Sequence, residues 1–397
     1  MQLLPPPPQL RRGRGDRRQK TASKIHANSG VNTEDWTAQD SSIHERFSPK
    51  ALSMTFRSRV AATSALIWIS GVALAGQPAW SQDAARSIQR GLQYVQQAGE
   101  RWIEKRECVS CHQIPTLIWS HEAARRTESI AVSDLLDEWE RWSTDVVNFV
   151  KPEQKADLDH SATMAANIDT MTQLLLAIPR TNASSAPGGT DWRSRFAEKL
   201  LEEQSADGSW RACGQLPAQR RPTKETTATT TAWTALALIR EPVEFDPSTA
   251  IQFVDSIDQP ESTEFLAARL LLAREMDRRF SNQSPPHSST QQWQTALLDH
   301  QNEDGGWGWK LADGSDALGT GYALHALAAT GTDSSVLNLA VKYLLATQEP
   351  NGRWKVPGTK ASAKGRATPT ANDWGSAWAV IALSTNAKHS ASVKHDE

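Results

Sequence analysis

Apolar residues recur three and four apart in Trp192 to Glu203, Trp293 to His300 and Val336 to Thr347, which predicts amphipathic helices there. Each run is followed by an Asp-Gly or Asn-Gly step. Such a step stops a helix, because glycine takes the left-handed conformation that a C-terminal cap or tight turn needs. A second run then begins, at Thr227 to Ile239, Thr320 to Ala329 and Asp373 to Leu383. Its Ala, Gly and Thr content suits a closely packed inner helix. The less regular stretches, read the same way, complete a series of helical pairs at 84–126, 133–178, 192–240, 247–278, 290–330 and 335–385. One helical hairpin cannot bury its own apolar face, but a ring of them can. The expected fold is therefore all-α, a single α/α toroid of about six hairpins. The connections inside the third and sixth pairs are the longest, around Arg211 to Lys224 and Lys355 to Asn372.

The turns between paired helices share a signature. Gln204 and Trp210, Gln301 and Trp307, and Gln348 and Trp354 bracket Gln-Ser-Ala-Asp-Gly-Ser-Trp, Gln-Asn-Glu-Asp-Gly-Gly-Trp and Gln-Glu-Pro-Asn-Gly-Arg-Trp. A degenerate copy runs from Gln96 to Trp102. The glutamines lie 108, 97 and 47 positions apart, two of these close to twice the third. That spacing predicts a unit of about fifty residues, with copies near 150 and 252 that have decayed. The signature resembles the Gln-Trp repeat of squalene-hopene cyclases, terpene cyclases and protein prenyltransferases, over essentially all of the chain after residue 85. The resemblance implies a structural role for these Gln and Trp side chains, tying adjacent helices together at the rim. A Trp against a helix end is in any case simplest as a packing residue with one N–H to satisfy.

Composition changes the picture at two points. Sixteen Trp against three Tyr and eight Phe is what a repeating aromatic position produces. Forty-three Lys and Arg against 45 Asp and Glu give no electrostatic reason to expect a nucleic acid partner. Residues 1–53, with Pro5 to Pro8 and the basic run Arg11 to Lys20, read as a disordered or mis-called leader unable to bury enough surface to offset its ordering entropy. Residues 54–81 then read as a signal peptide. Arg57 and Arg59 form its basic start, Ala61 to Ala75 its apolar core, and cleavage is expected after Ala75 or Ser81. The core is short for a membrane span of about 20 residues. The expected location is periplasmic or secreted, with no stable membrane span after cleavage, and the toroid occupies 82–390.

One constellation carries specific chemistry. Cys108-Val-Ser-Cys111-His112 resembles the attachment motif of c-type cytochromes. That resemblance implies one covalent haem c, with both thiols on the vinyl groups and His112 on the iron. Met164 or His160 is then the candidate second axial ligand, with His121 a further option and a five-coordinate iron also compatible. The same cysteines fit a redox disulfide, a structural disulfide, or half a zinc site completed by Cys213 and a histidine. Pro115 is expected to open the helix after the motif, with Trp119 facing inward.

Squalene-hopene cyclases protonate their substrate from an Asp-x-Asp-Asp motif, and the nearest match is Asp157-Leu158-Asp159-His160. The match puts Asp159 at the position of the proton donor, although an acid at a helix start is commonly a cap. Two functions of different class follow. One is electron transfer or haem-linked redox chemistry with a redox partner protein. The other is an apolar or polysaccharide ligand bound in the toroid, either transformed as in a terpene cyclase or polysaccharide-acting enzyme, or simply held by a binding scaffold.

Overall fold

The computed structural model describes residues 79–109, 113–127, 130–180, 191–280 and 289–395. The leader, the signal peptide up to residue 78, and Cys111 and His112 lie outside the described residues. The described residues form one compact unit. Its described part is built of helices and turns, with no strand longer than an isolated bridge. No described helix is long and apolar enough to cross a membrane.

Six hairpins make two concentric layers. The outer helices are α1 (Ala79–Arg106), α3 (Leu136–Ser143), α6 (Trp192–Glu202), α8 (Ser248–Asp255), α10 (Ser289–Leu298) and α12 (Ser334–Thr347). The inner ones are α2 (Gln113–Arg125), α5 (Ile168–Ala177), α7 (Thr223–Arg240), α9 (Thr263–Phe280), α11 (Ala317–Ala329) and α13 (Pro369–His395). Each inner helix packs on the next, and α13 packs on α2, so the inner ring closes. The second unit carries an extra short helix, α4 (His160–Ala165), between α3 and α5. Met164 and His160 therefore sit on α4, ahead of the inner helix. The helix breaks at Ala166 and Asn167, and the inner helix restarts at Ile168.

The three clear repeat turns have one geometry. The indole N–H of Trp210, Trp307 and Trp354 donates to the carbonyl of Leu200, Leu297 and Leu344 in the preceding outer helix, at 2.6, 2.8 and 2.8 Å. Their backbone N–H groups donate to hydroxyls of the following inner helix, Thr231, Thr320 and Ser376. Gln204, Gln301 and Gln348 donate to the glycine carbonyl four residues on, which closes the turn. Each Trp is thus pinned to both helices of its own hairpin. Only Gln348 also crosses to another unit: it donates to the Ser87 carbonyl and accepts from the Ser87 hydroxyl and Arg90, both on α1. The last unit is stitched to the first there.

The degenerate copy forms no such turn. Gln96 to Trp102 lies inside α1, where Gln96 bonds Glu100 and Trp102 donates to the carbonyl of Cys108. Without an Asp-Gly or Asn-Gly step nothing stops the helix, and Gly99 serves instead to let the Leu117 side chain approach. The count of six rests on the hairpins and not on this copy.

The two ends of the ring differ. At the N-terminal ends of the inner helices, the long loops of the third, fifth and sixth units pair with one another. Gln219 bridges Lys360, Arg220 N–H donates to the Thr359 carbonyl, and Arg220 meets Asp313 at 2.8 Å. Along the axis, aromatic rings stack: Trp374 meets Tyr322 edge-on, and Tyr322 lies 4.1 Å from Trp378, which contacts Trp119 and Trp233. This column fills the middle of the ring.

Between α2 and α3, two carboxyls share buried ground. Burial and the neighbouring Glu122, which is bonded to it, push Glu140 up to about 8. In an unfolded chain Glu140 titrates near 4.5, so protonated Glu140 stabilises fully below that value and loses its contribution as pH rises through about 8. We expect stability to fall between these limits, and Glu140→Gln to flatten that slope in thermal melts taken across pH. An unchanged slope in the variant would assign the dependence elsewhere.

Candidate functional site

The open end of the ring is the one where the inner helices terminate. A cavity of about 470 Å³ lies there, floored by the aromatic column and walled by the C-terminal halves of all six inner helices. The helical spacing of three and four aligns each contribution: Trp119, Ala123 and Arg126 from α2 and the residue after it, Trp233, Leu236 and Arg240 from α7, Leu271 and Arg274 from α9. Apolar groups come deep and cations come last. Trp119 and Trp233 meet edge-on with centroids 6.0 Å apart, and His325 stands edge-on to Trp119 at 6.1 Å.

His325 is the one titratable group on the cavity floor. Burial pushes it down to about 3, and the cations Arg240 and Arg126 act in the same direction. It is a neutral imidazole at any physiological pH, with Nδ1 2.9 Å from the Thr385 hydroxyl. It can hydrogen-bond a ligand but holds no proton for general acid catalysis. The Ser384 hydroxyl, also on the lining, is buried with no hydrogen-bond partner among the described residues. Among the described residues, no carboxylate and no amide side chain lines the cavity.

The basic rim has a structural explanation to weigh first, since cations at helix C-termini favour the helix dipole by about 0.3–1 kcal/mol each. Arg125, Arg278 and Arg279 fit it: they pair with Glu122, with Glu275 and with the Ile239 carbonyl. Arg126 and Arg274 face the cavity mouth instead, and neither forms an ion pair with a described residue.

The sequence-predicted residues lie elsewhere. Cys108 begins the α1–α2 connection, at the opposite end of α2 from the cavity. Glu107 just before it takes the left-handed conformation (φ 50°), which turns the chain sharply off the end of α1. Cys108 is half-buried and its thiol is raised by that burial, with the cations Lys151, Arg106 and Lys155 acting the other way. The next residue ties this turn to the second unit, Val109 N–H donating to the Asn148 carbonyl at 2.6 Å, and the 3-10 turn Val146–Phe149 in turn packs on α4. This turn thus connects the loop of Cys108 to the second unit, which also carries α4 with His160 and Met164. His160 is exposed, whereas Met164 is in the core. His121 faces away, edge-on to Trp139 and bonded to the Leu117 carbonyl, with burial lowering it to about 4. Cys213 is buried beside Ala165 and Asp169.

Asp159 is exposed and caps α4, accepting from the Ala162 N–H at 3.0 Å. Trp119 does face inward, and Pro115 lies in the first turn of α2, as expected. The rim arginines and Trp233 escaped the sequence reading. The signal was available: a basic residue closes the inner helix in three of the six pairs, α2, α7 and α9.

No protein-family profile matches the chain. A drimenyl diphosphate synthase from Streptantibioticus cattleyicolor is 40% identical over 59 residues, which is 15% of this chain and only 11% of that enzyme. A type II terpene cyclase from Scytonema, solved with geranylgeranyl dihydroxybenzoate, is similar at a TM-score of 0.47 and 13% identity over 78% of this chain and 99% of its own. A polysaccharide lyase is similar at 0.44 and 12% identity, over 79% and 98%.

Proposed function

We propose that this protein is a ligand-binding toroid, which takes a small organic molecule into the blind cavity at the C-terminal mouth of its inner ring. The observation that carries this is the cavity itself: about 470 Å³, within the usual small-molecule range, closed at its base by Trp119, Trp233 and His325. Its apolar groups, Trp119, Trp233, Leu236 and Leu271, suit the apolar ligand of the cyclase-like alternative better than a polysaccharide. A cyclisation begun by protonation needs a strong acid within reach of the substrate. Asp159 is occupied as a helix cap and His325 is neutral, so binding is the better supported activity. The test is Nile red, a neutral apolar dye. It should bind one site with a blue-shifted emission, and Ala329→Trp, which fills the cavity, should abolish that binding without lowering the melting temperature. Binding that survives the filled cavity would end this reading.

A second reading rests on a separate observation, the position of Cys108. The Cys-x-x-Cys-His motif begins where α1 ends and finishes where α2 starts, so it makes up the connection at one face of the ring. The described part fits a haem: Cys108 is half-exposed, and Arg106, Lys151 and Lys155 lie near enough to affect it, as partners for propionate carboxylates. Cys108 and Cys111 would hold the vinyl carbons and His112 the iron, with Met164 or His160 as the other axial candidate. A haem c would supply one-electron transfer to a redox partner outside the cytoplasm. Protein exported with the cytochrome maturation machinery should then be red and keep its haem on a denaturing gel, and Cys108→Ala with Cys111→Ala should be colourless. A colourless parent protein would remove the haem.

A further inference from the structure

We infer that the ligand of the cavity is an amphiphile, with an anionic head held at Arg126, Arg240 and Arg274 and a hydrocarbon body lying on Trp119 and Trp233. This rests on the cavity reading above and specifies its ligand.

The head group follows from how the cations are partnered. Basic side chains that leave the ring ends outward are satisfied: Arg125 by Glu122, Arg279 by the Ile239 carbonyl. Of the guanidinium groups that line the mouth, two have no such partner. Arg126 and Arg274 form no ion pair with a described residue, and both are exposed to the cavity solvent. Arg240 has one carboxylate, Glu275 at 3.4 Å, but Glu275 is already bonded to Arg278 at 2.5 Å. Its side chain keeps 42% of its surface open while protein surrounds it, and burial together with Arg274 and Arg278 works against its charge. Three guanidinium groups thus converge on one mouth with less than one carboxylate between them. Helix dipoles account for the basic residues that close α2, α7 and α9, but not for Arg126 and Arg274 facing the cavity without an ion pair. An anion bound there would relieve their mutual repulsion and accept charge-assisted, bidentate hydrogen bonds from a planar fork. Phosphate, sulfate and carboxylate heads share that chemistry.

The body follows from the wall. Leu236 and Leu271 with the two indoles make it apolar, and an oligosaccharide would leave its hydroxyls facing no carboxylate or amide. The Ser384 hydroxyl and neutral His325 can satisfy one or two polar atoms at the junction, no more.

The experiment is displacement of Nile red by octyl phosphate, octyl sulfate, octanoate and neutral octanol, each below its micelle concentration. The charged probes should displace at concentrations about tenfold below octanol. The gap should shrink with added salt, as for any partly exposed ion pairing. It should vanish in the variant Arg126→Gln, Arg240→Gln, Arg274→Gln with dye binding retained, and the order of the three charged probes identifies the head. Should that variant unfold, Arg274→Gln alone and the salt series on the parent protein carry the same test. Octanol displacing as well as the anions, or a gap indifferent to salt and to Arg274→Gln, would overturn the anionic head while leaving the cavity intact. Nile red failing to bind at all would overturn the cavity itself.

Discussion

Gly352→Val should open the ring. Gly352 sits in the turn of the last repeat with φ +88°, a conformation side chains rarely adopt, and a Cβ there would be driven into the backbone carbonyl of Arg90 on α1. Neither side can yield cheaply, because both are main chain and the turn is held by Gln348 to Ser87 and Arg90. The same close approach recurs at Gly208 against Thr249 and at Gly305 against Leu339, so it belongs to the seam after each of the three clear repeat turns. At Gly352 the seam is the one that joins the last unit to the first. The expected loss is about 3 kcal/mol or more, combining steric overlap with left-handed strain. Urea unfolding should show a lowered midpoint, and proteolysis should cut first in α1. Gly331→Ala is the control: its φ is +76° but the space around it is open, so it reports strain alone. Equal midpoints for the two variants would mean that this seam does not hold the ring.

Glu241→Leu should be nearly as damaging, for a different reason. Arg193 at the start of α6 is buried, and it donates to the carbonyls of Leu175 and Ile178 at the end of α5, each at 2.8 Å, and to Glu241 after α7. Glu241 is 2% exposed. Removing the carboxylate alone leaves a guanidinium buried without its counter-ion, which costs about 3–5 kcal/mol. The double change Arg193→Met, Glu241→Leu removes both charges and should recover much of that loss. It should still fall short of the parent protein, because the α5 carbonyls lose their donor, at about 1–3 kcal/mol each when buried. Chemical denaturation of the three variants gives the coupling directly. A double variant no more stable than Glu241→Leu would show that the carbonyl contacts, and not the pairing, dominate here.

Both predictions concern how hairpins meet, and that divides what could be read from the chain. The third, fifth and sixth hairpins were legible because helix period, Asp-Gly or Asn-Gly stop and small-residue inner run agree there, and every one of those signals is local. Gln96 to Trp102 misled for the same reason: its Gln-Trp spacing is local, but what decides between turn and helix is the missing Asp-Gly or Asn-Gly step, and α1 runs on. The second unit was blurred because α4 is an insertion with no periodic signature long enough to detect.

The cavity divides along the same line. The chain by itself determined the helices, their order and the repeated Trp turns, since each follows from residues within a few positions of one another. Only the tertiary structure decided that Arg126, Arg240 and Arg274, on three helices far apart in sequence, face one mouth while Arg125 and Arg279 turn away. A helix end carries a basic residue in either case, and the direction it faces is set by how the inner helices rotate as they pack into a closed ring. The axial stack of Trp374, Tyr322 and Trp378 was hidden for the same reason. Sixteen tryptophans could be counted in the chain, but which pin a hairpin and which fill the axis depends on closure, a contact between residues more than two hundred positions apart.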